Sequence, residues 1–344
     1  MSGPEVRTLL LYFYKFGGVK GRILRRAELE KLITVQDRRR RTPFYFALVA
    51  FGREFIGLES YIQRRLEASP EAILNVCTIA SLMYHFAQQS TPLQFLAPVL
   101  GVRPDKLVTW SVAVPGHIQE LFVKESASDI RPAHELIAAE ILEQLLSRGH
   151  GERRNWTAGL ADAAIDLVDF AAEHHQHTGG RTTDLMRSIL IERGSEETPA
   201  GPWEGAFSQL ISNIPSSDGK QRVLERLTEK FPDEAHFWAH LGRFYTRFTR
   251  EYKIAKEVHE KATRLDPQDP VLFHMSGMAF RRELEDLLDE NLNLDLNVDK
   301  EIQVQSLVQE ALRNFQASRE LDHQSEYNYI SPVQMITSVI GRVA

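Results

Sequence analysis

The segment that decides the fold of the first half of the chain is Asp129–Leu146, with the sequence DIRPAHELIAAEILEQLL. A residue before proline is pushed towards extended backbone, so the segment should open as a strand, and Pro132 then suits the first turn of a helix. Apolar side chains recur three and four positions apart over residues 137–146, which predicts a helix with a buried face. His134 is therefore expected at a strand-to-helix corner, where free backbone N–H groups favour an anion.

Two interpretations of His134 are open from this segment alone. The histidine can simply cap a buried helix, or its ring can contact an anionic ligand at the helix start. The segment's own pattern favours the cap, and the surrounding domain order bears on the choice.

Three helices and a two-stranded wing are predicted to precede this corner. Proline after a capping residue marks the first two helix starts, and strand-forming residues flank a polar turn in the wing. In chain order the starts and strands are Ser69–Pro70, Ser90–Pro92, residues 115–121, Leu121–Lys124 and Ser128–Arg131. Helix, helix, helix, wing, helix is a winged-helix layout.

Many winged helices bind DNA through the helix before the wing. Here that helix carries His117, Gln119 and Glu120, without lysine or arginine. A groove-reading helix normally brings several positive contacts to phosphate. A structural or switching role is therefore favoured over DNA recognition.

A run of four arginines precedes a strongly apolar helix near the start of the chain. Arg38, Arg39, Arg40 and Arg41 suit a solvated loop, or a patch that faces phosphate of a nucleotide or nucleic acid. Pro43 follows them, and the segment after it is apolar on all sides and should be buried.

Two short motifs resemble those of STAND nucleotide switches, the NB-ARC and NACHT-like proteins. Ala133-His134-Glu135 is similar to the MHD motif, with alanine for methionine and glutamate for aspartate. Pro43 stands where those proteins have a GxP segment, although arginine and threonine precede it here. The likeness covers roughly residues 1–150 and extends to antiviral STAND proteins with an N-terminal SAM domain and their bacterial relatives. It implies that His134 approaches the β-phosphate of ADP and that Pro43 packs near adenine.

The second half of the chain has the spacing of tetratricopeptide repeats. A W-x₂-L-G-x₂-Y pattern is followed by small residues in a second helix and by a closing proline, with one inserted residue between the two helices. A second unit begins at Phe273, and its glycine follows the first at nearly the family period of ~34 residues. The residues are Trp238, Leu241, Gly242, Tyr245, Ala255, Ala262, Pro267 and Gly277. Stacked helix pairs of this kind form a concave surface for a partner.

The connector between the two halves carries three histidines within four residues, His174, His175 and His177. Metal sites usually draw on separated elements or helical i, i+4 spacing, so a loop is favoured over a metal site. The acidic segment 289–299 resembles an EF-hand loop but lacks the required glycine and glutamate spacing.

Composition sets outer bounds on function. The 344 residues allow two or three domains, and the net charge of −6 argues against a surface that binds nucleic acid throughout. Cys77 is the single cysteine, which excludes a disulfide, and no apolar run reaches the ~20 residues of a membrane span. A cytoplasmic location is expected. No G-x-x-x-x-G-K-[ST] motif occurs, so the chain is not expected to be an enzyme or to bind a cofactor alone.

The sequence thus predicts a mainly α protein that combines a helical lid, a winged helix and a tetratricopeptide-like α-solenoid. The predicted boundaries are 1–66 for the lid, 67–149 for the winged helix, 150–202 for the connector and 203–344 for the repeats. Both ends lack polar caps, so we expect a piece of a longer protein whose upstream nucleotide-binding domain takes ADP or ATP.

The predicted function is the regulatory and sensor portion of a STAND-type switch in antiviral or immune defence. A protein or other trigger would bind the repeats, and activation would form an oligomer. No membrane partner is expected, and nucleic-acid binding is left open. Two alternatives are a winged-helix and repeat transcriptional regulator and a protein–protein interaction scaffold.

Overall fold

A computed structural model describes most of the chain beyond residue 56. The described residues are Thr8, Thr42, Pro43, Tyr45, Phe46, 57–103, 106–147, 153–175, 181–192, 207–289 and 298–343. Within them the fold is mainly α with one small sheet, which confirms the predicted fold class. The chain divides into two compact units, Met1–Ala158 and Gly159–Ala344. The four-part division from the sequence stays a prediction.

The first unit begins, in the continuously described part, with two helices. These are α1 (Leu58–Glu67) and α2 (Glu71–Ala87). Pro70 is the residue that precedes the first turn of α2, while the Ser69 hydroxyl donates to the carbonyl of Arg65 at 2.8 Å. Ser69 was predicted as the cap, and it serves the end of α1 instead. Gln88 ends α2 in a left-handed conformation, with φ at 53°.

Four short or medium helices and three strands follow. In chain order they are β1 (Thr91–Pro92), α3 (Leu93–Leu96), α4 (Trp110–Ala113), α5 (Gly116–Gln119), β2 (Phe122–Lys124), β3 (Asp129–Pro132) and α6 (Glu135–Leu146). The sheet order is β1-β3-β2, and both pairings are antiparallel. Thr91 pairs with Ile130, and Val123 pairs with Arg131.

The sequence did not predict the edge strand at Thr91 and Pro92, where proline can lie because no ladder donor is needed. A helix does start after these residues as predicted, since Pro92 is the N-cap of α3. The expectation for Pro132 was wrong. Pro132 ends β3 rather than entering the first turn of α6. The buried face of α6 is as predicted: Ile137, Ile141 and Leu142 are all buried.

The second unit consists of helices packed pairwise. A 3-10 segment, Arg153–Gly159, leads into it. The helices are α7 (Leu160–Glu173), α8 (Arg181–Leu190), α9 (Gln209–Asn213), α10 (Ser217–Lys230), α11 (Ala235–Phe244), α12 (Tyr252–Leu265), α13 (Pro270–Asp289), α14 (Val298–Leu321) and α15 (Tyr327–Val343). α7 packs on α10, α11 on α12, α13 on α14, and α15 on α14.

A π-helical turn, Tyr245–Thr249, joins the end of α11 to the loop before α12. A π turn takes one residue more than an α turn. This is the place at which the repeat pattern requires its inserted residue. Arg250 then leaves the turn in a left-handed conformation, with φ at 57°.

Candidate functional site

His134 lies at the corner between β3 and α6, as expected. Its backbone is extended and it occupies the N-cap position of α6. Nδ1 of the ring accepts the N–H of Leu136 at 3.1 Å. The side chain therefore caps the helix, which satisfies one of the backbone donors that a helix start leaves over.

The hydrogen bond at the cap also determines which ring nitrogen of His134 carries the proton. Because Nδ1 accepts a hydrogen bond, the neutral imidazole carries its proton on Nε2. Burial lowers the pKa of His134, the Glu135 carboxylate opposes this shift, and the Arg131 guanidinium adds to it. A neutral ring with an Nε2–H donor is a group that can donate to a phosphate oxygen.

Arg131 brings a fixed positive charge to the same corner. Its guanidinium carbon lies 5.2 Å from the centre of the Tyr84 ring, and Nη1 donates to the Tyr84 hydroxyl at 3.2 Å. Nε lies 3.6 Å from a carboxylate oxygen of Glu125. Together with the N-terminus of α6, this cation makes the corner favourable for an anion.

The other predicted nucleotide residue, Pro43, is exposed at the start of a helical segment. The Thr42 hydroxyl accepts the N–H of Tyr45 at 3.1 Å, and Tyr45 and Phe46 are buried. The joint role of Pro43 and His134 stays a prediction, and the four arginines 38–41 lie outside the described residues.

The helix before the wing, α5, uses its polar side chains within its own unit. His117 Nε2 lies 3.1 Å from the Ser69 hydroxyl, and the Gln119 amide donates to the carbonyl of Val114 at 2.6 Å. Glu120, just after the helix, pairs with Arg65. These contacts occupy the groups that a DNA-reading helix would offer to bases.

The residues of the predicted repeat pattern lie where the repeat helices meet. Trp238 donates through Nε1 to the carbonyl of Pro232 at 2.8 Å, and the Lys261 ammonium lies 3.5 Å from the centre of its ring. The Tyr245 hydroxyl donates to Glu225 at 2.7 Å, and burial together with this carboxylate raises the pKa of Tyr245 to about 12.

Small residues of the pattern mark close approaches between helices. A Cβ on Gly242 would lie 2.8 Å from the His259 ring, and one on Gly277 would lie 2.8 Å from the Phe315 ring. Leu241, Ala255 and Ala262 are buried. Pro267 is exposed in the turn that ends α12, so its part in the pattern is to close the unit.

A groove of about 810 Å³ opens among α11, α12, α13, α14 and α15, and we call it the basic groove. Four arginines line it: Arg243, Arg247, Arg281 and Arg282. Glu285 and Asp322 also line it, and the remaining walls include histidine, methionine and tyrosine side chains.

Sequence reasoning missed this groove. Arg243 and Arg247 are four positions apart and Arg281 and Arg282 are adjacent, which places each pair locally. Only the packing of α11 against α13 brings the two pairs to one cavity. In the histidine cluster, for which the sequence favours a loop over a metal site, His174 and His175 lie at the end of α7, and His177 lies outside the described residues.

No group of three or more His, Cys, Asp or Glu side chains among the described residues is arranged to hold a metal ion. None of the helices in the described part of the chain has the length and apolar character to cross a membrane. Cys77 is buried, and this burial raises the pKa of its thiol to about 12.

No family model and no curated protein matches the chain. Among solved structures, an IFIT1 monomeric mutant with Gppp-AAAA is 13% identical, with a TM-score of 0.34, over 59% of this chain and 42% of that one. The human IFIT1 dimer with m7Gppp-AAAA is 12% identical, with a TM-score of 0.33, over 82% of this chain and 69% of that one. The chain thus spans less than half of the first structure. At these values the likeness carries no argument about function.

Proposed function

We propose that this chain is the regulatory and trigger-binding portion of a STAND-type switch, with a role in antiviral or immune defence. In the resting state the winged helix would hold the ADP-bound form of an upstream nucleotide-binding domain. A trigger bound by the repeats would release that state, and the freed protein would assemble into an oligomer.

One observation carries the proposal. Nδ1 of His134 accepts the N–H of Leu136, so the neutral ring presents its N–H at Nε2. The wing strand β3 and the helix α6 hold this ring beside Arg131, on a helix N-terminus that favours an anion. A neutral ring, a nearby guanidinium and a helix N-terminus together support a contact with an anionic group such as a β-phosphate.

The mechanism is a two-state equilibrium. A contact made only in the resting state stabilises that state, and its loss shifts the population towards the active one. Loss of a hydrogen bond to a charged group amounts to about 1.5–3 kcal/mol, enough to shift the ratio of states roughly tenfold or more.

The test replaces His134 in the intact natural protein and measures its signalling output without a trigger. His134→Ala removes the cap and the ligand contact together. His134→Asn keeps an oxygen that can accept the N–H of Leu136 but cannot place a donor where Nε2 lies. We expect both variants to raise the untriggered output.

Two comparisons separate a ligand contact from a cap. If His134→Asn keeps the low untriggered output of the natural protein while His134→Ala raises it, the histidine is only a cap and the proposal is wrong. Ser216→Ala is the matched control, since the Ser216 hydroxyl accepts the N–H of Gly219 at the start of α10 in the other unit. It removes a cap of the same kind and should leave the resting output unchanged.

The transcriptional-regulator alternative has less support. The polar groups of α5 are engaged by Ser69, Val114 and Arg65. A plain scaffold remains the second candidate, and unchanged output for both His134 variants would favour it.

A further inference from the structure

The basic groove has the size and lining of a small-ligand site. Its volume of about 810 Å³ falls within the range of cavities that enclose small organic ligands, ~300–1,000 Å³. Five helices of the repeat unit contribute to its walls. It is therefore a local cavity rather than an extended track along the solenoid.

The charged groups that line the basic groove are mainly positive. Arg281 is held in place, since Nε lies 2.8 Å from Glu285 and Nη1 donates to the carbonyl of Ser331 at 3.3 Å. Arg282 bridges Glu285 and Asp286. Arg281 and Arg282 are thereby held at the groove wall, where Glu285 and Asp286 balance part of their charge. Guanidinium groups match phosphate in geometry as well as charge.

The positive charges of these arginines affect the pKa values of two histidines that line the groove. Burial lowers the pKa of His274, and the positive charges of Arg243 and Arg281 lower it further, while Asn328 opposes the shift. Burial also lowers the pKa of His259 to about 3, with Arg243 as the second cause. The rings of His259 and His274 therefore both lie near positive charge.

The groove wall contains two buried histidine rings. In both His259 and His274, Nδ1 is buried without a hydrogen-bond partner among the described residues. Both side chains line the basic groove. A buried polar group without a partner is costly, so the repeat unit leaves the hydrogen bonding of these two rings incomplete at the groove wall.

The remaining lining is apolar and aromatic. Met275, Met278 and Ala279 give a surface without charge, and Tyr327 stands exposed beside His274 with 6.5 Å between ring centres. Flat rings and guanidinium planes are groups on which a heterocycle stacks. An extended acidic peptide would instead need contacts spaced along the solenoid.

We infer that the basic groove binds a nucleoside phosphate, with the arginines on the phosphates and the base against the methionine and aromatic side chains. This inference rests on the proposed sensor role of the repeats and names the class of trigger. Its site is separate from the His134 corner and lies entirely within the second unit.

The test is calorimetric titration of the 344-residue chain with ATP, inorganic tripolyphosphate and hexaglutamate. We expect ATP to bind one to one, tripolyphosphate to bind more weakly because it has no base, and hexaglutamate not to bind. Tighter binding of hexaglutamate than of ATP would overturn the inference in favour of an acidic protein segment. The absence of ATP binding would overturn it outright.

Variants locate the site. Arg243→Gln and Arg247→Gln keep long polar side chains, and each should weaken ATP binding about tenfold. Arg264→Gln is the control, because that arginine is exposed on α12, paired with Glu260 and absent from the groove lining. If Arg264→Gln weakens binding as much as the groove variants do, the groove is not the site.

A second variant covers the case in which the arginine variants disturb folding. Val271 is half exposed at the rim, near the start of α13, where an acidic residue is favourable to the helix. Val271→Glu should therefore fold and repel the phosphates, weakening ATP binding about tenfold. Unchanged affinity would contradict the inference.

The two proposals can fail separately. If the groove binds ATP but the His134 variants leave the untriggered output unchanged, the ligand site is retained and the switch is rejected. Raised output for the His134 variants, without ATP binding, would retain the switch and reject the ligand.

Discussion

At the scale of single residues, Gly242 sets how closely α11 approaches α12. The His259 ring packs directly over it, with the nearest ring atoms 2.8 Å from where a Cβ would be. His259 is buried on all sides, so the ring has little room to move. The glycine of the repeat pattern is thus required by contact with one identified ring.

Gly242→Ala should destabilise the repeat unit by about 1–3 kcal/mol, since the added methyl overpacks a buried contact. Urea unfolding followed by circular dichroism measures the change. With His259→Ala already present, the same substitution should have a much smaller effect, because the clash is gone.

Gly341→Ala is the control, as open space surrounds that position on α15. It should be neutral or mildly stabilising, since alanine favours helix by about 1 kcal/mol over glycine. Equal losses for Gly242→Ala and Gly341→Ala would show that helix geometry, rather than the His259 contact, explains the glycine.

His259 also predicts a dependence of stability on pH. Its pKa in the folded protein is lowered to about 3, whereas in the unfolded chain the ring titrates near 6.5. Between these values the unfolded state binds a proton that the folded state does not, so the free energy of unfolding falls as pH falls from about 6.5. Above that pH the contribution is constant.

The measurement is the slope of unfolding free energy against pH, from pH 7 to pH 4.5. His259→Gln should flatten the slope, whatever its effect on stability at pH 7. His274, whose pKa is also lowered by burial, accounts for part of the remaining slope. A slope that does not change in His259→Gln would mean that folding does not lower the pKa of this ring.

At the scale of elements, the end of α2 depends on one strained residue. Gln88 adopts left-handed backbone at the helix end, where its N–H reaches the carbonyls of Met83 and Tyr84. The N–H of Gln89 closes the motif on the carbonyl of Met83 at 3.2 Å. Glycine is the residue that this conformation favours.

Gln88→Gly should stabilise the first unit by about 0.5–1 kcal/mol, after the greater freedom of glycine in the unfolded chain is allowed for. Slower hydrogen exchange in peptides from α2 would report the gain. Gln89→Gly, one position on, should give no gain, because no left-handed backbone occurs there. Equal effects at both positions would contradict the role of Gln88.

The sequence predicted elements well where periodicity was long. The apolar rows of α6 and the small residues of α11 and α12 repeat over several turns, so their helices could be assigned from spacing. Thr91–Pro92 was missed because a two-residue strand has no period and is formed only by its partner β3. Pro132 was placed in the helix because its local preference suits both a strand end and a first turn.

The candidate sites show the same difference between what local sequence determines and what distant packing determines. The cap at His134 follows from a local strand-to-helix corner and was predictable, although its tautomer needed the bond from Leu136. The basic groove depends on helices distant in sequence coming together. No local pattern could have joined Arg247 to Arg281.

At the scale of the whole molecule, the helices α7 and α8 form part of the second compact unit. α7 packs on α10, where Arg226 makes two bonds to Asp169, at 2.6 and 2.9 Å. The pKa of Asp169 is lowered by this arginine. The sequence, by contrast, predicted a connector over 150–202 and a repeat region that begins at 203.

The two boundaries predict different behaviour for two fragments. A fragment of residues 159–344 keeps α7 against α10 and should unfold cooperatively with native helix content. A fragment of residues 203–344 exposes the face of α10 that buries Val223, Leu224 and Leu227. Because each such side chain contributes about 1.5–3 kcal/mol when buried, the shorter fragment should be several kcal/mol less stable.

Thermal unfolding of both fragments, followed by circular dichroism, decides between the boundaries. Asp169→Asn provides a further check. It removes a carboxylate that exists only in the longer fragment, so it should lower the unfolding midpoint of 159–344, and its effect there should fade at high salt as the pairing is screened. If instead 203–344 unfolds at the same midpoint as 159–344, α7 and α8 are a connector as the composition predicted, and the repeats fold without them.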